Sequence, residues 1–327
     1  MRTIKIKFVG FWPGFNEKKN IIIDILSKHY SIEYSDSPDY VFCSMFGLPY
    51  EYCKYSGIRI FWSGENYSPD FCIVDYAIGF DPMTYTDRYY RFPIYYLDKV
   101  AESLDQSKRK TLNNKYFCNF IFGHESANHV REDVFSALDA YKHVISAGSY
   151  LNNMPNNAIA DTYDKKLEIL RDSKFTIACE SIDQDGFVTE KLLHALATGS
   201  IPIYYGSKSV YRDFNPEAFI DLHDYNNLDD LLNRVKEIDS NPDLYNNIKY
   251  CRKYASENQY TNAKKGLEDF LLNIISQDIQ TAYRRSKYFQ PQAHEKHLLL
   301  VNYIYRCKPE KMFHMINQFS HRNAKEH

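Results

Sequence analysis

The sequence predicts an α/β protein made of two Rossmann-like domains, and two observations carry this prediction. Short apolar runs alternate with segments whose apolar residues recur at helical spacing, which is typical of open parallel sheets covered by helices. This alternation occurs twice, before and after a polar, charged stretch at residues 101–115. At 327 residues with 44% hydrophobic side chains, the chain is long enough for two domains with packed cores.

The first series precedes residue 101. It contains the following predicted elements: strands at 4–9, 40–43, 58–62 and 77–80, and a helix at 18–29. The first strand alternates apolar residues with lysines, so it does not read as a signal peptide, which requires a continuous apolar region. Ligands of parallel sheets bind beyond the carboxyl ends of the strands. Glu65, in a turn just after the strand at 58–62, is therefore a candidate functional residue.

The second series follows residues 101–115, which we interpret as an interdomain linker. It contains these predicted elements: strands at 117–122, 143–146, 175–179 and 201–205, and helices at 130–141, 164–172, 189–198 and 228–238. Two Rossmann-like series in tandem describe the GT-B architecture, in which two domains face each other across a cleft that holds the site. The predicted domains are an N-terminal domain at 1–110, a C-terminal domain at 111–252, and a helix at 253–280 that packs back on the N-terminal domain.

Residues 281–327 form a basic and aromatic tail that includes Arg284, Arg285, Tyr288 and Phe289. Two interpretations stay open: attachment to an anionic membrane surface, or a helical appendage packed on the body. No run of about 18 apolar residues could span a bilayer. We therefore expect a cytoplasmic protein, with the inner face of the cytoplasmic membrane as a peripheral contact if the tail binds lipid.

Charge and cysteine content exclude several classes of function. The chain has 40 basic and 42 acidic residues, and its net charge of −2 argues against a nucleic-acid partner. Seven scattered cysteines without a C-x-x-C pair predict reduced thiols and no zinc site. Residues 183–185 spell Asp-Gln-Asp, but they lie in a loop that we interpret as a turn. We expect no metal ligand.

The strand predicted at 175–179 leads into the most informative loop of the chain. Glu180 and Ser181 follow the strand, the loop passes through Asp185-Gly186, and Thr189 opens the next helix. The amino end of a helix offers free N–H groups and the positive end of the helix dipole, which suits an anion. The loop therefore delivers polar side chains to a natural anion site.

Glu190 and Lys191 stand in the first turn of that helix. A lysine there adds a point charge suited to a phosphate, and a neighbouring carboxylate can accept hydrogen bonds from sugar hydroxyls. Taken alone, Thr-Glu-Lys indicates a capped surface helix rather than a binding site. The longer context decides between the two interpretations.

That context resembles the donor-binding motif of the α-1,3/4-fucosyltransferases, glycosyltransferase family 10. The resemblance in the second half runs through residues 187–191 (Phe-Val-Thr-Glu-Lys), 199–206, 213–216 and 219–225. The first half is similar to bacterial members of the family at residues 61–70, 75–81 and 87–93. Several long motifs in the same order, spanning about residues 8–250, make chance similarity a poor explanation.

The resemblance implies the GT-B fold, GDP-β-L-fucose as donor and an α-fucoside product, hence inversion at the anomeric carbon. Glu65 matches the family's glutamate in the acceptor domain and is the implied general base. Arg131 aligns with a phosphate-binding arginine, so Arg131 and Lys191 are implied ligands of the pyrophosphate. Glu190 is the implied partner of the fucose hydroxyls and of the developing positive charge.

The implied donor-binding set also contains Glu180, Ser181, Phe187, Val188 and Thr189. Phe187 replaces a tyrosine that is common in bacterial members, and Ser181 replaces a frequent asparagine. Glu180 could be structural or could face the donor. No cofactor is expected to be required, and a divalent cation is at most stimulatory, because cationic side chains and helix N–H groups can hold the diphosphate.

The expected activity is α-1,3-fucosyl transfer to a GlcNAc or Glc hydroxyl of an N-acetyllactosamine-type glycan, giving a Lewis x-like product of the kind found in lipopolysaccharide. The expected partners are GDP-fucose and an oligosaccharide or glycolipid acceptor. Four alternatives stay open: α-1,4 or other acceptor specificity in O-antigen or capsule synthesis, a family member that uses another deoxysugar nucleotide as donor, a glycan- or nucleotide-sugar-binding protein without catalysis, and a peripheral membrane scaffold.

Overall fold

The computed structural model of the chain describes residues 1–105, 115–125, 129–286 and 288–307. It contains two parallel sheets with helices, which confirms the predicted α/β, GT-B-like fold. The chain divides into two compact units. The first contains Met1–Gly79, Met83–Arg91 and the chain from Leu267 onward, and the second contains Phe80–Pro82 and Phe92–Gly266.

The first unit is built on a six-stranded sheet. Its strands are β1 (Thr3–Val9), β2 (Ser31–Tyr34), β3 (Tyr40–Cys43), β4 (Ile58–Trp62), β5 (Tyr76–Gly79) and β6 (Tyr89–Arg91). Their order is β2-β1-β3-β4-β5-β6, with all neighbours parallel. The two edge strands, β2 and β6, were not expected, because β2 is mostly exposed and β6 has only three residues, so neither forms an apolar run.

The central strands of this sheet are buried along their whole length, as near-continuous apolar runs in parallel sheets are. Arg59 interrupts the apolar run of β4 with a buried cation. Its guanidinium donates to the carbonyls of Cys53 at 2.7 Å and Ile73 at 3.0 Å, and pairs with Glu295 at 2.6 Å. The buried charge is thus compensated.

Helices of the first unit come from both ends of the chain. They are α1 (Ile21–Leu26), α9 (Ile279–Ala282), α10 (Phe289–Cys307) and, from Leu267, the second half of α8 (Gln259–Ser276). The helix predicted at 18–29 is shorter, because the Asn20 side chain accepts from the amide of Ile23 at 3.1 Å and so caps its start.

The described part of the tail is a helical appendage held by ion pairs. Arg285 Nε lies 3.2 Å from Asp75, Arg284 pairs with Asp87 at 2.5 Å, and Arg306 pairs with Glu51 at 2.7 Å. Cations that suggested lipid binding are therefore engaged within the unit, while Phe289 is 89% exposed. Membrane attachment stays a prediction, and residues 308–327 lie outside the described residues.

The second unit is built on a five-stranded sheet. Its strands are β7 (Tyr116–Phe120), β8 (Val144–Ser146), β9 (Ser173–Cys179), β10 (Ile201–Tyr205) and β11 (Ile220–Asp221). Their order is β11-β10-β9-β7-β8, again with all neighbours parallel. Its helices are α2 (Ala101–Asp105), α3 (Val130–Tyr141), α4 (Tyr163–Asp172), α5 (Glu190–Thr198), α6 (Leu228–Ser240), α7 (Pro242–Tyr250) and the first half of α8.

The compact units differ from the predicted domains in their limits. The stretch interpreted as a linker begins with helix α2, which buries Ala101 and Leu104, so the linker interpretation was wrong there. Residues 106–114, which include the predicted boundary, lie outside the described residues. The helix predicted at 253–280 is α8, and the chain passes from the second unit to the first within it, after Gly266.

Candidate active site

Strands β7 and β9 are neighbours in the second sheet, and the chain leaves them in opposite directions. From β7 it passes through α3 to the edge strand β8, whereas from β9 it passes through α5 to β10 on the other side. At such a switch point an open parallel sheet forms a crevice beyond its carboxyl ends, where ligands bind. Arg131 follows β7, and residues 180–191 follow β9.

Glu180 anchors the start of α5. It is 1% exposed, and its Oε1 accepts from the amide of Thr189 at 2.7 Å. The Thr189 hydroxyl lies 2.8 Å from Oε2, and Lys191 Nζ lies 2.7 Å from the same oxygen. Thr189 makes no side-chain cap of its own, so Glu180 takes that role from the preceding loop.

Lys191 is held as a cation. Burial acts to lower its pKa, but the charges of Glu180 and Glu190 outweigh burial and raise the pKa above its ordinary value. The side chain remains 25% exposed. A charged and partly accessible lysine in the first turn of a helix can meet an anionic ligand.

Arg131 is the second cation of this site. It is 2% exposed, donates to the carbonyl oxygen of His124, and lies with its guanidinium carbon 4.5 Å from the centre of the Phe122 ring. Its Nε lies 3.4 Å from Glu132. Arg131 is close enough to Lys191 that its charge acts to lower the pKa of Lys191. Arg131 follows β7 and Lys191 follows β9, so both positive charges belong to the switch point, where they favour an anion.

Glu190 supplies an accessible carboxylate beside these cations. Its side chain is 42% exposed, and its Oε1 lies 3.4 Å from Lys166 Nζ. Burial acts to raise its pKa, but the charges of Lys191 and Lys166 outweigh burial, so the pKa lies below its ordinary value. The group is therefore ionised at neutral pH and can accept hydrogen bonds.

The loop between Glu180 and Thr189 turns at Gly186. Its φ of +85° and a Cβ position 2.7 Å from the carbonyl oxygen of Phe80 leave no room for a side chain. The Gly186 amide donates to Ser209 at 2.6 Å. This loop is thus fixed at its turn as well as at the start of α5.

The remaining residues predicted to bind the sugar-nucleotide donor differ in their exposure to solvent. Ser181 is exposed. Phe187 and Val188 are buried, and the Phe187 ring meets the Phe80 ring edge-on at 5.4 Å. Both side chains support the loop from within the unit, so direct contact of either with a donor stays a prediction.

The Asp-Gln-Asp sequence at 183–185 contributes Asp183 to a chain of contacts that runs through His223 to Asp221. Asp183 lies 3.3 Å from Nε2 of His223, whose Nδ1 lies 2.9 Å from Asp221. The His223 ring stacks on Tyr205 at 5.2 Å. Across the described ranges, no group of three or more His, Cys, Asp or Glu residues is arranged to hold a metal ion.

Sequence reasoning missed Lys166 and His223. Lys166 lies on α4, twenty-four positions from its partner Glu190, and no local pattern relates the two helices. His223 belongs to a motif that was recognised, but its contact with Asp183 depends on how the loop folds back. Neither residue had a signal of its own in the sequence.

Glu65 lies in the first unit and is described by itself. It is exposed in the turn after β4. The Ser63 hydroxyl donates to the carbonyl of Glu65 at 2.8 Å and to that of Tyr67 at 2.6 Å, and the Tyr67 amide donates to the Glu65 carbonyl at 2.7 Å. These bonds fix the backbone of the turn and leave the carboxylate on the surface.

Two family models match the chain. The model of the α-(1,3)-fucosyltransferase FucT N-terminal domain matches residues 6–98, and the C-terminal model of glycosyltransferase family 10 (fucosyltransferase) matches residues 109–295. Among curated proteins, the α-(1,3)-fucosyltransferase FucT of Helicobacter pylori is 31% identical over 291 residues. The match covers 76% of this chain and 59% of that protein.

Solved structures of α1,3-fucosyltransferase also match. One aligns with a TM-score of 0.72 and 28% identity, over 88% of this chain and 93% of the other. Another, solved with GDP-fucose, aligns with a TM-score of 0.66 and 25% identity, over 83% of this chain and 91% of the other.

Proposed function

The chain belongs to glycosyltransferase family 10, and we propose that it transfers L-fucose from GDP-β-L-fucose to a glycan hydroxyl. The observation that carries the proposal is a pair of cations, Lys191 and Arg131, each following one of the two strands that flank the switch point of the second sheet. A sugar-nucleotide diphosphate is the ligand whose charge this pair suits. The similarity to an α1,3-fucosyltransferase solved with GDP-fucose supports the choice of donor.

In the proposed reaction the second unit stabilises the leaving group. As the bond between the anomeric carbon and the phosphate oxygen breaks, negative charge grows on GDP, and Lys191 and Arg131 offset it. Positive charge grows on the fucose ring at the same time. The ionised Glu190 accepts from fucose hydroxyls and favours that developing charge.

Glu65 is the proposed general base. The acceptor oxygen forms a bond to the anomeric carbon from the face opposite GDP, its proton passes to the Glu65 carboxylate, and GDP departs with the electron pair of the broken bond. One displacement converts the β-linked donor into an α-fucoside. The exposed position of Glu65 in a turn held by Ser63 supports this role.

The proposed acceptor is the GlcNAc or Glc unit of an N-acetyllactosamine-type glycan, linked α-1,3 to give a Lewis x-like product. The α-1,3 specificity in the names of the Helicobacter relative and of the matching structures supports this choice. An α-1,4 linkage, or an acceptor in O-antigen or capsule synthesis, is the alternative within the family. A single hydroxyl contact in the acceptor pocket suffices to separate such sugars.

We further propose that transfer proceeds without an obligatory metal, because Lys191, Arg131 and the N–H groups of α5 can hold the diphosphate. The proposed location is the cytoplasm, in peripheral contact with anionic lipid through the tail, whose aromatic side chains Tyr288 and Phe289 are 72% and 89% exposed. In the part of the chain that the structure describes, no helix is both long and apolar enough to cross a bilayer.

The test is GDP release from GDP-fucose by the purified protein, with and without EDTA. The acceptors are N-acetyllactosamine, its type-1 isomer, lactose and buffer alone. Release that depends on N-acetyllactosamine and survives EDTA supports metal-independent fucosyl transfer to an N-acetyllactosamine-type acceptor. Release only with the type-1 isomer favours the α-1,4 alternative, and release without any acceptor supports donor use alone. Tight GDP-fucose binding without release favours a binding protein.

A further inference from the structure

A carboxylate that is only 14% exposed joins the two helices beside the proposed donor site. Asp98 accepts from Nε2 of His194 on α5 at 2.6 Å and from the hydroxyl of Tyr163 on α4 at 2.6 Å. It also accepts from the amide of Val100 at 3.0 Å. Burial acts to raise the pKa of Asp98, but the bonds from His194 and Tyr163 outweigh it and lower the pKa. Three separate chain segments thus meet at one carboxylate.

The partners of Asp98 lie one helical turn from Glu190 and its cation. His194 follows Glu190 by four residues on α5, and Lys166 follows Tyr163 by three on α4, so each pair shares a helix face. The second link between the helices is the 3.4 Å contact of Lys166 Nζ with Glu190 Oε1. The position of the Glu190 carboxylate therefore depends on how α5 is held against α4.

His194 is fixed mainly through Asp98. It is 2% exposed, its ring meets the Tyr163 ring edge-on at 5.3 Å, and its Nδ1 is buried with no hydrogen-bond partner within the described part of the chain. The Asp98 carboxylate can only accept, so it fixes the proton on Nε2. Loss of this bond would leave both ring nitrogens of a buried imidazole unpaired, which favours a different ring position.

We propose that Asp98 is a positioning residue for sugar recognition: through His194 and Tyr163 it holds α5 so that the Glu190 carboxylate meets the fucose of the donor. The inference rests on the proposed function. Lys191 is held separately, by Glu180 and Thr189. The structure thus divides the donor site into a diphosphate part, fixed by Glu180, and a sugar part, fixed by Asp98.

This division predicts a selective effect. Asp98→Asn keeps the size of the side chain but cannot accept from both His194 and Tyr163 with full charge. We expect the Asn variant to bind GDP, which lacks fucose, within about twofold of the wild type and to bind GDP-fucose about tenfold more weakly. Tyr163→Phe, which removes one hydroxyl only, is expected to give the same selectivity with a smaller loss.

The experiment is calorimetric titration of the full chain with GDP and with GDP-fucose. Tyr141→Phe is the matched control, because it also removes a tyrosine hydroxyl bound to an aspartate, Asp239 at 3.1 Å, on α3 of the same unit. We expect it to change neither affinity. The double variant Asp98→Asn, Glu190→Gln is expected to bind GDP-fucose no more weakly than Glu190→Gln alone, because Asp98 acts through Glu190.

Equal weakening of GDP and GDP-fucose in folded Asp98→Asn and Tyr163→Phe proteins would overturn the inference, and so would additive losses in the double variant. If Asp98→Asn does not fold, the loss of GDP-fucose affinity relative to GDP affinity in Tyr163→Phe tests the inference instead. A wild-type protein that binds neither ligand overturns the proposed function and the inference with it. A wild-type protein that binds both, with unselective variants, overturns the inference alone.

Discussion

Lys191 Nζ lies 2.7 Å from Oε2 of Glu180 and 2.9 Å from Oγ1 of Thr189. These contacts use two of the three N–H donors of the ammonium group. The protein therefore orients the ammonium group before a ligand binds. The third N–H donor is the one that the donor diphosphate would accept from. Such preorganisation lowers the cost of ordering a long side chain on binding.

Replacement of Lys191 by alanine should weaken GDP and GDP-fucose alike. Both ligands carry the diphosphate, and loss of one charge-assisted hydrogen bond costs about 1.5–3 kcal/mol, or about 10- to 150-fold in Kd. Calorimetric titration measures both affinities. Lys165→Ala is the control, because Lys165 is an exposed lysine on α4 paired with Asp161. Unchanged GDP affinity in Lys191→Ala would remove this residue from the diphosphate site.

Replacement of Glu180 by glutamine should lower stability. The buried carboxylate accepts from the amide and hydroxyl of Thr189 and from Lys191. Glutamine keeps the shape but loses the ion pair, so we expect the free energy of unfolding to fall by about 1–3 kcal/mol. Urea denaturation measures it, with Glu168→Gln, an exposed glutamate on α4, as control. Wild-type stability in Glu180→Gln would contradict the anchoring role.

Replacement of Glu65 by glutamine should leave GDP-fucose binding intact and reduce transfer. Loss of a general base costs about 10²- to 10⁴-fold in rate. Steady-state transfer assays beside calorimetry separate the two effects. Glu33→Gln, at an exposed glutamate on β2 of the same unit, should keep full turnover. Near wild-type turnover in Glu65→Gln would show that another group takes the proton.

Stability should depend on acid pH through Asp239. Burial acts to raise its pKa, but hydrogen bonds from Lys142 and Lys174 outweigh burial and lower the pKa. A carboxylate with a lowered folded-state pKa contributes stability above the ordinary value of 3.8, and the contribution is lost as pH falls through the lowered value. In urea denaturation, the difference in unfolding free energy between wild type and Asp239→Asn should shrink as pH falls from 7 toward 3. A difference independent of pH would contradict this.

Replacement of Asp75 by asparagine should destabilise the first unit. Asp75 is fully buried, pairs with Arg285 Nε at 3.2 Å, and also accepts from the amides of Arg59, Arg284 and Arg285. Removing one partner of a buried ion pair costs about 3–5 kcal/mol. Thermal unfolding measures the loss, and Asp36→Asn, at the exposed partner of Lys7, is the control with little effect. Equal melting temperatures for the Asp75 and Asp36 variants would show that the contacts of Asp75 do not stabilise the first unit.

Sequence patterns predicted the elements that bury an apolar face. The helix at 130–141 and the strands at 40–43, 58–62 and 201–205 have the predicted limits. The same patterns could not reveal short elements at the edges of sheets. Strand β2 is largely exposed and β6 has three residues, so their pairing depends on neighbours that already exist in the sheet.

The site residues also differ in how far the sequence could identify them. Local signals place Glu190 and Lys191 at a helix start, but only the resemblance of residues 187–191 to a family motif marks them as site residues. The ambiguity of Glu180 could not be resolved from sequence, because its burial depends on a loop that closes over nine residues onto Thr189. Asp98 and His194 lie ninety-six positions apart, and no local preference relates them.

The division of the chain into units has a consequence for protein synthesis. The second unit is nearly continuous in sequence, from Phe92 to Gly266, whereas the first is completed only by the chain from Leu267 onward. When this part of the chain emerges from the ribosome, Arg59 on β4 has no Glu295 to pair with, and Asp75, just before β5, has no Arg285. The part made first must wait for the part made last, so the second unit can complete its fold earlier.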